Sequence, residues 1–286
     1  MQHHPHGKRT HKGLDKNMAF LRVILAAFGF VFWTAQVSLG AAPALMPEAK
    51  LRLLDGGAGK DGAWLAGVEI TLSGKAKTYW RMPGDSGLPP LFDWTGSENV
   101  KSVSVEWPRP ERIPDASGTI LGYHGQVIFP LLIEPSDPSK PIRLALKLDF
   151  GICEEVCVPL TSQASRALGG GGDKAAIEEF RARVPKKGSL GAKPDPKLLS
   201  ITRAADALLV KSGAPIDDLV LEGPTGWYFG DAARSGGTDA EPVFAVRILE
   251  KPSKADLGGL ALIVTLLGRE SATETAVTLD PDGAIR

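Results

Sequence analysis

The sequence predicts an all-β protein: two antiparallel β-sandwiches in tandem, joined by a connector with one short helix. Three observations predict it. Short runs alternate apolar and polar residues with a period of two, 22 prolines and 33 glycines punctuate the chain between those runs, and no long stretch carries helical spacing. Alternation bounded by Pro and Gly marks half-buried strands. Many short strands without long helices pack as sheet on sheet.

Residues 1–42 read as an export signal. Lys8, Arg9, Lys12, Lys16 and Arg22 supply a basic leader, and residues 23–33 form an uncharged, mostly apolar core. Small residues follow at Ser38, Gly40, Ala41 and Ala42, where a signal peptidase can cut. A membrane span needs about 20 apolar residues, so the segment is expected to direct export and not to anchor. The disulfide-permissive periplasm is the expected destination.

Residues 43–168 form the first strand-rich region. In 64–72 (W-L-A-G-V-E-I-T-L), Val68, Ile70 and Leu72 share a face; in 100–107, Val103, Val105 and Trp107 do. Residues 126–133 and 142–150 repeat the pattern, the latter as I-R-L-A-L-K-L-D-F. Residues 169–196 are the connector. It opens on four consecutive glycines, Gly169 to Gly172, and Asp173 is placed to cap a helix with Ala176, Ile177 and Phe180 on one side. Residues 197–286 resume the strand pattern, with strands expected at 198–202, 207–211, 218–222, 227–229, 243–249, 260–267 and 275–279. That number of short strands suits a second small sandwich, in which 235–238 (S-G-G-T) is expected to be a flexible loop.

Charge and histidine count exclude several functions. The chain has 33 basic and 33 acidic residues; residues 1–40 hold five and one of them, leaving 28 and 32, a net charge of −4. Nucleic-acid binding has no electrostatic footprint here. Four of the five histidines lie in the same leader, leaving His124, so neither a multi-histidine metal site nor a Ser-His-Asp hydrolase is expected.

The chemistry concentrates in Gly151-Ile152-Cys153-Glu154-Glu155-Val156-Cys157-Val158-Pro159, which holds the two cysteines of the chain. In an oxidising compartment such a pair is a redox couple, a structural staple or a metal-binding pair. A disulfide needs Cα atoms roughly 4.4–6.8 Å apart, whereas residues four apart in a straight strand are separated by about 13 Å. Bonding therefore requires a tight bend, with 144–150 entering as a strand and 158–160 opening the next. As a staple the ring is weak: closing a loop of about five residues gains only about 2 kcal/mol, less any strain. That favours a working redox pair. Unless they point to solvent, Glu154 and Glu155 disfavour a thiolate and thus favour the disulfide, so the reduced pair is expected to donate electrons. The alternative is Cu(I), a soft ion that two thiolates can hold, with His124 as the available histidine. No cofactor is expected.

Several stretches resemble a known family. Residues 122–131 (G-Y-H-G-Q-V-I-F-P-L), about 30 residues ahead of the cysteines, resemble the N-terminal periplasmic domain of DsbD, the thiol:disulfide interchange reductase. Tyr79-Trp80-Arg81-Met82-Pro83-Gly84 and residues 92–100 (F-D-W-T-G-S-E-N-V) resemble its variant in the ScsB proteins. The similarity covers about residues 45–165. It implies an immunoglobulin-like sandwich that relays electrons between thioredoxin-fold partners, a role linked to cytochrome c biogenesis. It implies further that Cys157 attacks a partner's disulfide, that Cys153 resolves the mixed disulfide, and that Tyr123 and His124 stand where the family's cap shields the pair. No transmembrane electron conduit follows in this chain, so a separate membrane thiol reductase is the expected source of electrons.

Overall fold

The computed structural model describes residues 48–59, 62–84, 87–115 and 118–285. The expected export signal at 1–42 lies outside them. Ten strands come first: β1 (Ala49–Ala58), β2 (Trp64–Leu72), β3 (Lys77–Gly84), β4 (Leu91–Asp93), β5 (Val100–Val105), β6 (Glu111–Asp115), β7 (Gly118–His124), β8 (Gln126–Pro135), β9 (Ile142–Cys153) and β10 (Cys157–Leu168). They build two sheets, ordered β1-β2-β8-β5 and β10-β9-β3-β7-β6, with β4 added to β9. Helix α1 (Lys174–Arg181) follows, then β11 (Lys186–Lys187), β12 (Leu198–Ala204), β13 (Ala207–Ser212), β14 (Asp218–Glu222), β15 (Tyr228–Gly237), β16 (Pro242–Glu250), β17 (Ala261–Leu267) and β18 (Ala272–Thr278). These strands form the sheets β11-β18-β17-β14 and β12-β13-β16-β15. Apart from the two-residue β11–β18 contact, the strand pairings are antiparallel. The chain is therefore all-β in class, as its alternation predicts.

Each pair of sheets closes on an apolar core. The first gathers Val68, Ile70, Trp80, Phe129, Leu144, Leu148 and Ile152, all fully buried; the second gathers Leu198, Ile201, Leu208, Val210, Val264 and Leu266. The first core also takes in Val220, Leu267 and Ala272, so the second pair of sheets packs directly on the first. Along β9 the even-numbered residues from Ile142 to Ile152 are buried, while Arg143 and Lys147 are exposed. That alternation points the even residues into the sandwich and the odd ones to its outer face.

The connector differs from expectation in its details. Ile177 and Phe180 are buried against the first core, but Ala176 is exposed. Asp173 occupies the N-cap position without a side-chain cap. Its carboxylate instead accepts the backbone N–H of Asp55 (2.9 Å) and pairs with Arg166 (2.8 Å). Residues 235–237, expected in a loop, complete β15, whose irregular pairing with β16 absorbs the two glycines.

Asp55 explains how a four-glycine run is held. Its buried carboxylate accepts the N–H of Gly169 (2.8 Å) and Gly170 (2.7 Å), the N–H of Gly57 (3.0 Å) and the indole N–H of Trp64 (3.1 Å). Burial pushes its pKa up, but the hydrogen bonds from Gly169, Gly170 and Trp64 outweigh it and hold the group down to about 2. A depressed carboxylate stabilises the fold above its unfolded pKa, and that contribution is lost as pH falls through the folded value. Asp55→Asn should therefore cost about 2 kcal/mol at neutral pH. Urea titrations should show the wild-type advantage vanishing between about pH 4 and pH 2.

Candidate functional site

Strand β9 ends at Cys153, the turn is Glu154-Glu155-Val156, and β10 begins at Cys157. The antiparallel register sets Cys157 directly opposite Cys153. The bend required for bonding is thus a β-hairpin, and the two residues form a disulfide with Cα atoms 4.1 Å apart. Both cysteines are odd-numbered and in phase with the outer face. Cys157 is exposed, yet Cys153 is only 1% exposed. What buries it is a small apolar cluster separate from the main cores: Tyr79, Ile113 and Ile120.

Tyr79 is the central member. Its hydroxyl lies 2.6 Å from Cys153 Sγ and 3.2 Å from Cys157 Sγ. Gly151 makes room for its ring, and Gly122 for the backbone of β3. A Cβ on Gly151 would sit 2.9 Å from Tyr79 Cε2, and a Cβ on Gly122, the register partner of Tyr79, would sit 2.2 Å from Thr78 O. Thr78 Oγ1 donates to Gly151 O (2.9 Å), tying β3 to β9 at this point. The aromatic ring can therefore lie flat over the strand end while its hydroxyl reaches both sulfurs.

The ladder runs His124, Lys77, Cys153, Cys157 across four adjacent strands. Directly opposite residues share a face, with Cβ atoms about 4.5–5.5 Å apart, so Lys77 stands beside Cys153. It is buried. His124 is exposed on the same face, two strand spacings from Cys153, or about 10 Å. Tyr123 belongs to the next rung, with Thr78 and Ile152, and so faces the core. Its ring packs edge-on against Phe129 (5.5 Å) and its hydroxyl donates to Pro108 O (2.7 Å). Burial pushes its phenol well above the ordinary value and keeps it protonated. The structure thus brings together Cys153, Cys157 and Tyr79, and carries the Tyr123 side chain away from the sulfurs. Sequence reasoning missed Tyr79, because only the folded register sets it two residues from Lys77 with glycines at the neighbouring positions on both flanking strands.

Glu154 and Glu155 are exposed in the turn, the Glu154 carboxylate lying over Gly74. Among the described residues no group of three or more His, Cys, Asp or Glu is placed to hold a metal ion.

Chemically, an exposed sulfur bonded to a buried one is an asymmetric pair. The reachable sulfur can exchange with a partner, while the buried one closes the ring. A buried thiolate is disfavoured by desolvation, and the Tyr79 hydroxyl can donate to it. A hydrogen bond to a charged acceptor contributes about 1.5–3 kcal/mol, and about 1.4 kcal/mol is one pKa unit. Tyr79→Phe should therefore raise the pKa of the Cys153 thiol by about one unit or more. The readout is the pH dependence of the ultraviolet thiolate absorbance of the reduced Cys157→Ser variant, with and without the hydroxyl; coincident profiles would remove Tyr79 from the chemistry.

Residues 46–168 match the family model described as thiol:disulfide interchange protein DsbD, N-terminal. No curated protein matches the chain. Among solved structures, the N-terminal periplasmic domain of ScsB from Proteus mirabilis is similar in fold, with a TM-score of 0.64 at 20% sequence identity. The likeness covers 82% of this chain and 94% of that one. It therefore extends beyond residues 46–168 into the second pair of sheets.

Proposed function

Because residues 46–168 match the family model of DsbD N-terminal domains, we propose that the protein is an extracytoplasmic thiol-disulfide exchange protein that relays electrons through Cys153 and Cys157. The observation that carries this reading is the split exposure of the bonded pair, Cys157 exposed and Cys153 buried beneath Tyr79. In the forward reaction the Cys157 thiolate attacks one sulfur of a partner's disulfide and releases the other as a thiolate. Cys153, as a thiolate, then attacks Cys157 in the mixed disulfide and releases the partner's second thiolate. The partner gains two electrons and two protons; the chain ends with its own disulfide and needs a reductant to begin again. Thioredoxin-fold proteins are the proposed partners and a separate membrane thiol reductase the proposed electron source, by the family resemblance. Donation to the partner is the proposed direction of flow, by the same resemblance. A periplasmic location is supported by the leader composition and by the compartment of the ScsB domain.

The test is direct. The protein is reduced with dithiothreitol, desalted and mixed with an oxidised thioredoxin. One pair of partner thiols should appear per molecule oxidised. No transfer from a pair that dithiothreitol reduces readily in the folded protein would overturn the reading.

A further inference from the structure

Six large hydrophobic side chains are left exposed among the described residues; Val156 and Leu88 lie near the disulfide, and Leu91 lies farther down the same face. Val156 adjoins Cys157 in the turn. Leu88 lies against Gly151, its Cβ 2.9 Å from where a glycine Cβ would be, and its carbonyl accepts the Gly151 N–H (3.0 Å). Leu91 stands opposite Asp149, in phase with Gly151 and Cys153 on the outer face. The exposed Pro159, opposite Gly151, continues the strip. Val156, Leu88 and Pro159 are the members of the strip nearest Cys157, the exposed cysteine of the pair. Charge flanks these residues: Asp149, beside Leu91, pairs with Lys147 (3.6 Å) and accepts from Thr161 (2.5 Å), while Glu154 and Glu155 project from the turn.

We propose that this strip is a docking surface for a partner protein whose reactive disulfide lies in an apolar surface edged by Lys or Arg. The proposal rests on the exchange reading above and specifies the partner for it. Apolar side chains exposed beside a reactive atom bring a partner into contact without fixing a sequence. The acidic turn selects by charge, mostly through the encounter rate. A second copy of this chain is the poorer occupant, because it would set Glu154 and Glu155 against their own counterparts, and like charges across an interface are unfavourable. The strip is short, as suits a transient encounter.

The test uses the full chain, reduced and desalted, with four disulfides as probes. Three are peptides dimerised through cysteine: Lys-Leu-Cys-Leu-Lys, Glu-Leu-Cys-Leu-Glu and Lys-Gly-Cys-Gly-Lys. Hydroxyethyl disulfide is the uncharged reference. Each rate is divided by the rate of the same probe with dithiothreitol, which removes intrinsic reactivity. The Lys-Leu peptide should react about tenfold faster than the Glu-Leu peptide at low salt, and the ratio should shrink in high salt. It should exceed the Lys-Gly peptide by about threefold to tenfold. Glu154→Gln with Glu155→Gln should erase the charge preference, and Leu91→Ser with Val156→Thr the leucine preference. Normalised rates within twofold of one another, or preferences that survive these substitutions, would overturn the docking surface. So would a dimer of the wild type that Leu91→Ser dissociates. If the peptides are unranked while hydroxyethyl disulfide is reduced, only the docking surface fails; if hydroxyethyl disulfide is not reduced at all, the exchange reading fails and takes this one with it.

Discussion

Replacing Cys157 by serine should abolish electron transfer to a thioredoxin-fold disulfide, whereas Cys153→Ser should give a mixed disulfide that accumulates. The two outcomes differ because the two sulfurs differ in exposure. Cys157 opens β10 at the surface, while Cys153 ends β9 beneath Tyr79, Ile113 and Ile120. A partner can reach the first and not the second. With serine at position 153 the attack by Cys157 still proceeds, but no thiolate closes the ring, so the covalent intermediate waits for an outside thiol. Non-reducing electrophoresis after mixing with oxidised thioredoxin reads both results. A mixed disulfide formed by Cys157→Ser, through Cys153, would reverse the assignment. Neither substitution should unfold the protein: the cross-link closes a loop of about five residues and its loss costs about 2 kcal/mol at most by chain entropy, against cores that bury dozens of apolar side chains.

Alternation made most of the fold legible. Residues 64–72 and 218–222 are strands with the expected bounds, and 126–133 and 142–150 are strands that run slightly longer. Strands β3, β6 and β7 escaped because their patterns are broken or unhelpful, and β10 was legible only where it opens, at 158–160. β3 is buried on both faces from Lys77 to Trp80, so no polar face shows in the sequence. β10 is an edge strand of mostly small and polar residues, in which only Leu168 is buried. The cysteines were legible because nothing else in the chain competes with them. Tyr79 was not, because its significance depends on which residues stand on the neighbouring strands, and a register is a property of the folded sheet. Tyr123 shows the same point from the other side: one residue of phase separates a side chain over the disulfide from one in the core.

Arg81→Met should destabilise the protein by about 3 kcal/mol, near the low end of the range for breaking a buried ion pair. Arg81 lies two residues beyond Tyr79 on β3 and reaches across to the second pair of sheets. It donates to both carboxylate oxygens of Glu222 on β14 (3.0 and 2.6 Å) and pairs with Glu274 on β18. Its guanidinium also stacks over the Trp80 ring, 4.3 Å from the centroid. The fork geometry suits arginine and no other cation. Both carboxylates are mostly buried, so removing the cation leaves Glu222 desolvated without the guanidinium it faces, while Glu274 keeps Lys187. Burial raises the pKa of Glu274, but Lys187 and Arg81 together bring it below the usual carboxylate value. The stability that Glu274 contributes is therefore present above its unfolded pKa and lost as pH falls through the folded one. Equilibrium unfolding in urea at neutral pH and at low pH should show the penalty of Arg81→Met shrinking on acidification. Joint replacement, Arg81→Met with Glu222→Leu, should recover part of the loss, because an apolar pair removes the stranded charge as well as the attraction. Equal losses for the single and double variants would mean that Arg81 acts through packing on Trp80 alone. A recovered double variant would place the cost in the buried carboxylate left without its guanidinium.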